Sequence, residues 1–158
     1  MIAFLYPKED WTAADISLKV QAIAASQNVE VYSVPKFQKN RKEQIFQRLS
    51  KASQVIFLAH DIEHIDEDTR EQLCYIKEKK IRTFFIVPPV MEPEIRKLGF
   101  HRDIKTYDPK EKVALLNITN ALIDELKKNS NAEGMAVFLV LLGLLVMILY
   151  LVLSASKE

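Results

Sequence analysis

Apolar positions along the first 107 residues fall into short runs separated by helix-period segments. Residues 2–6 (IAFLY) form an apolar run closed by Pro7, the pattern of a fully buried strand. Thr12-x-x-Asp15 reads as a capping box opening a first helix, with Ile16, Val20 and Ile23 on one face. Residues 29–34 (VEVYSV) are β-branched and aromatic and stop at Pro35. Asn40-x-x-Glu43 opens a second helix that turns Ile45, Phe46, Leu49 and Ala52 inward. Residues 54–59 (QVIFLA) are the clearest buried strand, and Asp66 or Asp68 starts a third helix with Leu73 and Ile76 inward. Residues 81–87 (IRTFFIV) give a fourth strand, ended by Pro88-Pro89. A short helix from Glu92 to Leu98 and a weak fifth strand from Ile104 to Tyr107 follow. Asp108-Pro109-x-Glu111 combines an N-cap residue, Pro at the first helical position and an acid at the third. It predicts a last helix through Val113, Leu115, Ile118, Leu122 and Leu126.

Strict β/α alternation implies right-handed βαβ units and a parallel sheet. Five strands in about 125 residues fit an α/β, flavodoxin-like sheet of order 2-1-3-4-5 flanked by helices.

The pattern changes near residue 130. Gly134 to Ser156 holds no charged residue and shows no polar stripe at helical spacing. As a helix these residues would extend roughly 35 Å, enough to cross a bilayer's ~30 Å hydrocarbon core. The expectation is a soluble domain over 1–126, a linker over 127–133, one transmembrane helix over 134–156 and a short tail, 157–158. The N-terminus lacks the basic region and cleavage site of a signal peptide. These features predict a single-pass, tail-anchored protein of the cell membrane with its N-terminal domain in the cytoplasm. Lys127 and Lys128 agree with positive-inside placement.

Charge refines the picture. The chain has 22 Lys and Arg against 21 Asp and Glu, a net charge of +1, which argues against direct DNA binding. One cysteine, Cys74, excludes a disulfide framework or a Cys-based zinc site, and it is expected to be a packed thiol. Three glycines in the whole chain leave no Gly-rich phosphate loop.

In an open α/β sheet, ligands bind beyond the carboxyl ends of the strands, near the switch between strands 1 and 3. Tyr6, Lys8, Asp10, His60 and Asp61 fall there and are the candidate ligand-binding residues. His60, Asp61, Glu63, His64 and Asp66 have metal-ligand chemistry but no recognised ligand spacing. An acidic loop ahead of a helix is expected from the macrodipole alone, so no metal site is assigned. An aspartyl-phosphate site is disfavoured because strand 4 ends in Val-Pro-Pro without a hydroxyl.

A basic segment, with Lys36, Lys39, Arg41 and Lys42, and an acidic one, with Asp66, Glu67 and Asp68, begin at the same edge of the sheet. They are candidates for charge-paired assembly between copies, the patches lying on different sides of the domain. Two ordinary solvated helix faces are the alternative.

The order of IAFLYPKEDWTAADIS, VEVYSVPKF, QRLSKASQVIFLAHD and REQLCYIKEKKIRTFFIVPP resembles Toll/interleukin-1 receptor (TIR) and TIR-like domains over about residues 1–125. The resemblance implies the same five-stranded sheet and an assembly loop at Pro35 to Asn40. In the TIR enzymes that cleave NAD, a glutamate follows strand 3, and Glu71 matches that position, with Ile65, Glu67 and Asp68 upstream. TIR-like domains joined to membrane segments imply bacterial anti-phage or stress signalling. The leading expectation is a tail-anchored sensor or effector that binds a ligand or partner and self-associates as a homo-oligomer at the bilayer. The alternatives are an NAD-cleaving enzyme using Glu71 and a membrane-anchored sensor of a cyclic nucleotide.

Overall fold

A computed structural model of the chain describes residues 1–26, 28–35 and 41–111, with positions 113, 114, 117, 121, 143 and 154. Five strands form one parallel sheet: β1 (Ile2–Leu5), β2 (Val31–Ser33), β3 (Gln54–Leu58), β4 (Arg82–Val87) and β5 (Ile104–Thr106), in the order β2-β1-β3-β4-β5. The helices are α1 (Trp11–Ser26), α2 (Lys42–Leu49), α3 (Glu67–Glu78) and α4 (Glu92–Lys97). The expected α/β architecture and strand order are therefore present.

Alternation along the strands divides the core between the two faces of the sheet. Phe4, Ile56, Leu58, Phe84 and Ile86 pack with Ala13, Ile16, Val20 and Ala24 of α1. Leu5, Val55, Phe57, Phe85 and Val87 point the other way, onto Ile45 and Leu49 of α2, Leu73 and Ile76 of α3, and Ile95 of α4. Four phenylalanines, Phe4, Phe57, Phe84 and Phe85, are fully buried, each stabilising the fold by roughly 1.5–3 kcal/mol. Because α2 and α3 share a face, Phe46 and Tyr75 meet between them with ring centroids 4.7 Å apart.

Several boundaries shift from expectation for identifiable reasons. The α1 cap is Asp10, not Thr12: Asp10 Oδ1 accepts from the Ala13 N–H at 2.9 Å, and Thr12 lies inside the first turn. Asp66 caps α3, accepting from the Thr69 N–H. Helix α2 starts at Lys42, with Arg41 at the cap position making no side-chain cap bond; Asn40 lies outside the described residues. A 3₁₀ turn over Pro89–Met91 precedes α4.

Three helices end in a left-handed residue: Asn28 after α1, Lys80 after α3 and Gly99 after α4. In each case the next amide reaches back five residues, as in Val29 N–H to Ala24 O, Ile81 N–H to Ile76 O and Phe100 N–H to Ile95 O. At Gly99 a side chain would also meet Lys77, whose Nζ crosses that position to donate to Leu98 O.

After β5, Asp108 Oδ1 accepts from the Lys110 N–H, and positions 114, 117 and 121 are helical. Ala114 packs on the α1 side of the core. Among the described residues no helix is long and apolar enough to cross a membrane. The linker at 127–133, the tail at 157–158 and the apolar stretch at 134–156, apart from Gly143 and Ser154, lie outside those residues.

Candidate functional site: the carboxyl edge of strands β1 and β3

The β1–α1 and β3–α3 loops meet at the switch point, held together by two carboxylates. Asp10 is fully buried. Besides capping α1, its Oδ2 accepts from the backbone N–H groups of His60, at 2.6 Å, and Asp61, at 3.1 Å. Asp61 answers from the other loop, its Oδ2 accepting from the Thr12 N–H at 3.0 Å. Both carboxylates thus sit at the first turn of α1, where the helix dipole favours negative charge. Burial pushes the Asp10 carboxyl above the ordinary aspartate range; the amide bonds from His60, Ala13 and Asp61 oppose this shift, and the charge of Asp61 adds to it.

His60 is fixed from its other side. The Tyr107 hydroxyl donates to Ala59 O at 2.7 Å, so its oxygen is left to accept from His60 Nδ1 at 2.8 Å. The network therefore assigns the Nδ1–H tautomer in the neutral ring. The two rings stack with centroids 5.9 Å apart. Burial raises the Tyr107 hydroxyl far above the usual tyrosine value, with Asp10 and Asp61 contributing further.

The remaining candidates at this edge also serve the fold. Tyr6 is buried, and its hydroxyl donates to Val34 O at 2.6 Å. The Lys8 backbone N–H donates to Asp66 Oδ2, and its ammonium pairs with Asp68 at 3.0 Å, a bond that raises the Lys8 pKa. Asp66 Oδ2 also accepts from the Thr69 hydroxyl, so this carboxylate is occupied by three donors from two residues, Lys8 and Thr69. Among the described residues no three His, Cys, Asp or Glu side chains converge as a metal ion would require.

Glu71 stands elsewhere. It is exposed on the outer face of α3 and forms an ion pair with Lys42 of α2, a contact that raises the Lys42 pKa. The two residues border an open groove of about 550 Å³ shared with Phe46, Glu67, Cys74 and Tyr75. Cys74 is exposed in this groove rather than packed as expected. The helical spacing of Glu67, Arg70, Glu71, Cys74 and Glu78 already places them on one face, a signal that the packed reading passed over.

Among the described residues of the two charged segments, Lys42 on α2 lies beside α3, which begins within the acidic segment, on one face of the sheet. Lys42–Glu71 and Lys8–Asp68 are paired within the chain, and Arg41 is exposed beside Lys42. Lys36 and Lys39 lie outside the described residues.

Fold and site together define a doubly wound α/β domain whose switch point is closed by its own side chains. No family model, curated protein or solved structure matches the chain.

Proposed function

We propose that the chain is a membrane-anchored α/β module, TIR-like in kind, that senses a ligand or partner and acts by self-association at the bilayer. The observation that carries this reading is Asp10, whose carboxylate bonds three of the chain's own amides where related sheets offer groups to a ligand. The groups best placed for chemistry at the switch point hold loops together instead, which favours work by surface contact. The uncharged stretch Gly134–Ser156 supports the anchor, and Gly143 and Ser154 within it are helical. The 2-1-3-4-5 order is compatible with TIR-like kinship and is shared by other doubly wound domains. Bacterial anti-phage or stress signalling is the setting that kinship implies.

Two measurements test it. The full chain should float with vesicles after alkaline washing, and a chain ended at residue 133 should remain soluble; a full chain that washes off sinks the anchor. Light scattering in nanodiscs should show oligomers that shrink when Lys39, Arg41 and Lys42 are reversed to Glu and partly recover with Glu67→Lys. Asp66 and Asp68 are left intact, because Asp66 caps α3 and Asp68 holds Lys8. Unchanged oligomer size would remove charge-paired assembly.

A second reading, NAD cleavage, is favoured by one feature: Glu71 lines a groove large enough to admit part of a nucleotide. NAD turnover that disappears in Glu71→Ala would establish it over the first.

A further inference from the structure

We infer that the amino edge of the sheet, at the starts of β4 and β5, is a docking surface for anionic phospholipid headgroups. This rests on reading residues 134–156 as a membrane span.

Two segments build the edge. Residues 77–82 run into β4 and residues 96–105 run into β5, so both are at the amino ends of their strands. Together they hold eight Lys and Arg residues against Glu78 and Asp103. Lys77, Lys80, Arg82, Phe100 and Arg102 line an open groove of about 510 Å³ between them.

Internal structure accounts for only part of this charge. Lys77 donates to Leu98 O, Arg82 pairs with Asp103 at 3.1 Å, and Arg96 pairs with Glu92. Lys77, Arg96 and Lys97 also lie in last turns of helices, where the dipole favours cations. Lys80 and Arg102 lie beyond the helices and are exposed. Lys80 further occupies a left-handed position, with φ 56°, where Gly or Asn would be less strained. A cation is kept there against the backbone preference.

The rest of the chain selects a bilayer as the occupant. Tyr107 leaves β5 at the carboxyl edge beside Val87, and helical positions 114, 117 and 121 follow. A crossover helix packed on a parallel sheet runs back toward the strands' amino ends. The chain therefore heads for the basic edge before its apolar stretch, and from Ala121 to Gly134 it can extend at most about 45 Å. The opposite edge carries Glu9, Asp61, Glu63 and Glu67, all exposed. An anionic leaflet attracts the first edge and repels the second, so the domain would stand with its acidic edge away from the membrane. The net charge of +1 disfavours nucleic acid as the occupant.

The test is amine acylation of the full chain, read by mass spectrometry, in nanodiscs of phosphatidylcholine alone or with about 30% phosphatidylserine. Lys80 and Lys97 should react about fivefold more slowly on the anionic discs, and Lys19 on α1 should not change. In about 0.5 M salt, where the screening length is about 4 Å, protection should disappear. Lys80→Asn with Arg102→Gln should expose Lys97 while leaving the circular dichroism spectrum unchanged. Equal Lys80 reactivity on both discs, with the protein still membrane-bound, overturns docking and leaves the anchor standing. A full chain that washes off vesicles removes both. Protection on neutral discs by added single-stranded RNA, without a phosphatidylserine effect, would assign the surface to nucleic acid and overturn the lipid proposal.

Discussion

At the carboxyl ends of β1 and β3 several charged groups bond to the chain itself. Asp10 bonds three amides, Asp61 bonds a fourth across the loops, and Lys8 is tied to Asp66 and Asp68. At the amino ends of β4 and β5, Lys80 and Arg102 instead face solvent around an open groove. Helix polarity contributes to the difference. Helix N-termini at the carboxyl edge offer amides that a nearby carboxylate satisfies, whereas at the amino edge the carbonyls of helix ends are largely met by the chain's own backbone. Asp10, Asp61 and Asp66 at one edge are consequently structural, with Glu9 and Glu63 exposed beside them, and much of the charge at the other edge is available for contact.

The sharpest way to break this contrast is Asp10→Ala. It removes one helix cap and the acceptor of two further loop amides, and should cost roughly 3 kcal/mol in urea unfolding of the detergent-solubilised chain. Asp10→Asn keeps one acceptor oxygen and should fall between wild type and alanine. A loss below about 0.5 kcal/mol for alanine would mean that the carboxyl edge is not held by this residue.

Alkaline titration comes next. Burial raises the hydroxyl pKa values of Tyr6, Tyr32 and Tyr107 above the ordinary tyrosine value. An acid with a raised folded pKa gives stability that is complete below its unfolded pKa and lost as pH rises toward the folded value. Stability should therefore be insensitive to these groups below about pH 10 and decline above it. Ultraviolet titration of the folded chain should show these three hydroxyls ionising above the usual tyrosine pH of about 10. Tyr107 ionising at the usual tyrosine pH in the folded chain would contradict its placement.

The smallest effect should come from the amino edge. Lys80→Gly relieves a left-handed lysine and should stabilise the chain by at most about 1 kcal/mol, while weakening lipid protection of Lys97. Destabilisation instead would show that Lys80 makes a contact the fold needs.

Much of the fold was legible in the alternation. Each strand was found within two residues of its bounds because a central parallel strand must be apolar on both faces, and runs such as VIFL are read without knowing their neighbours. The caps were half legible. Asp66 preceded its helix as expected, but the box at Thr12 looked as good as the true cap at Asp10, since both offer an oxygen three residues before an amide. KEKKIR and HRDIK also lead directly into strands, but that they border one groove follows only from the pairing of β4 with β5.

Residue types and their periods thus determined, without any coordinates, that this chain forms a five-stranded α/β sheet of order 2-1-3-4-5, and which loops carry its charge. Composition likewise marks the uncharged stretch from Gly134 to Ser156. Partnership is different in kind. That Asp10 bonds His60 and Asp61, 50 and 51 residues away, depends on the register that lays β1 beside β3. That Lys42 reaches Glu71 depends on α2 and α3 being neighbours on one face. A hydrogen bond is decided within a few tenths of an ångström, and distances that fine are set only when the sheet and both of its helical layers close together.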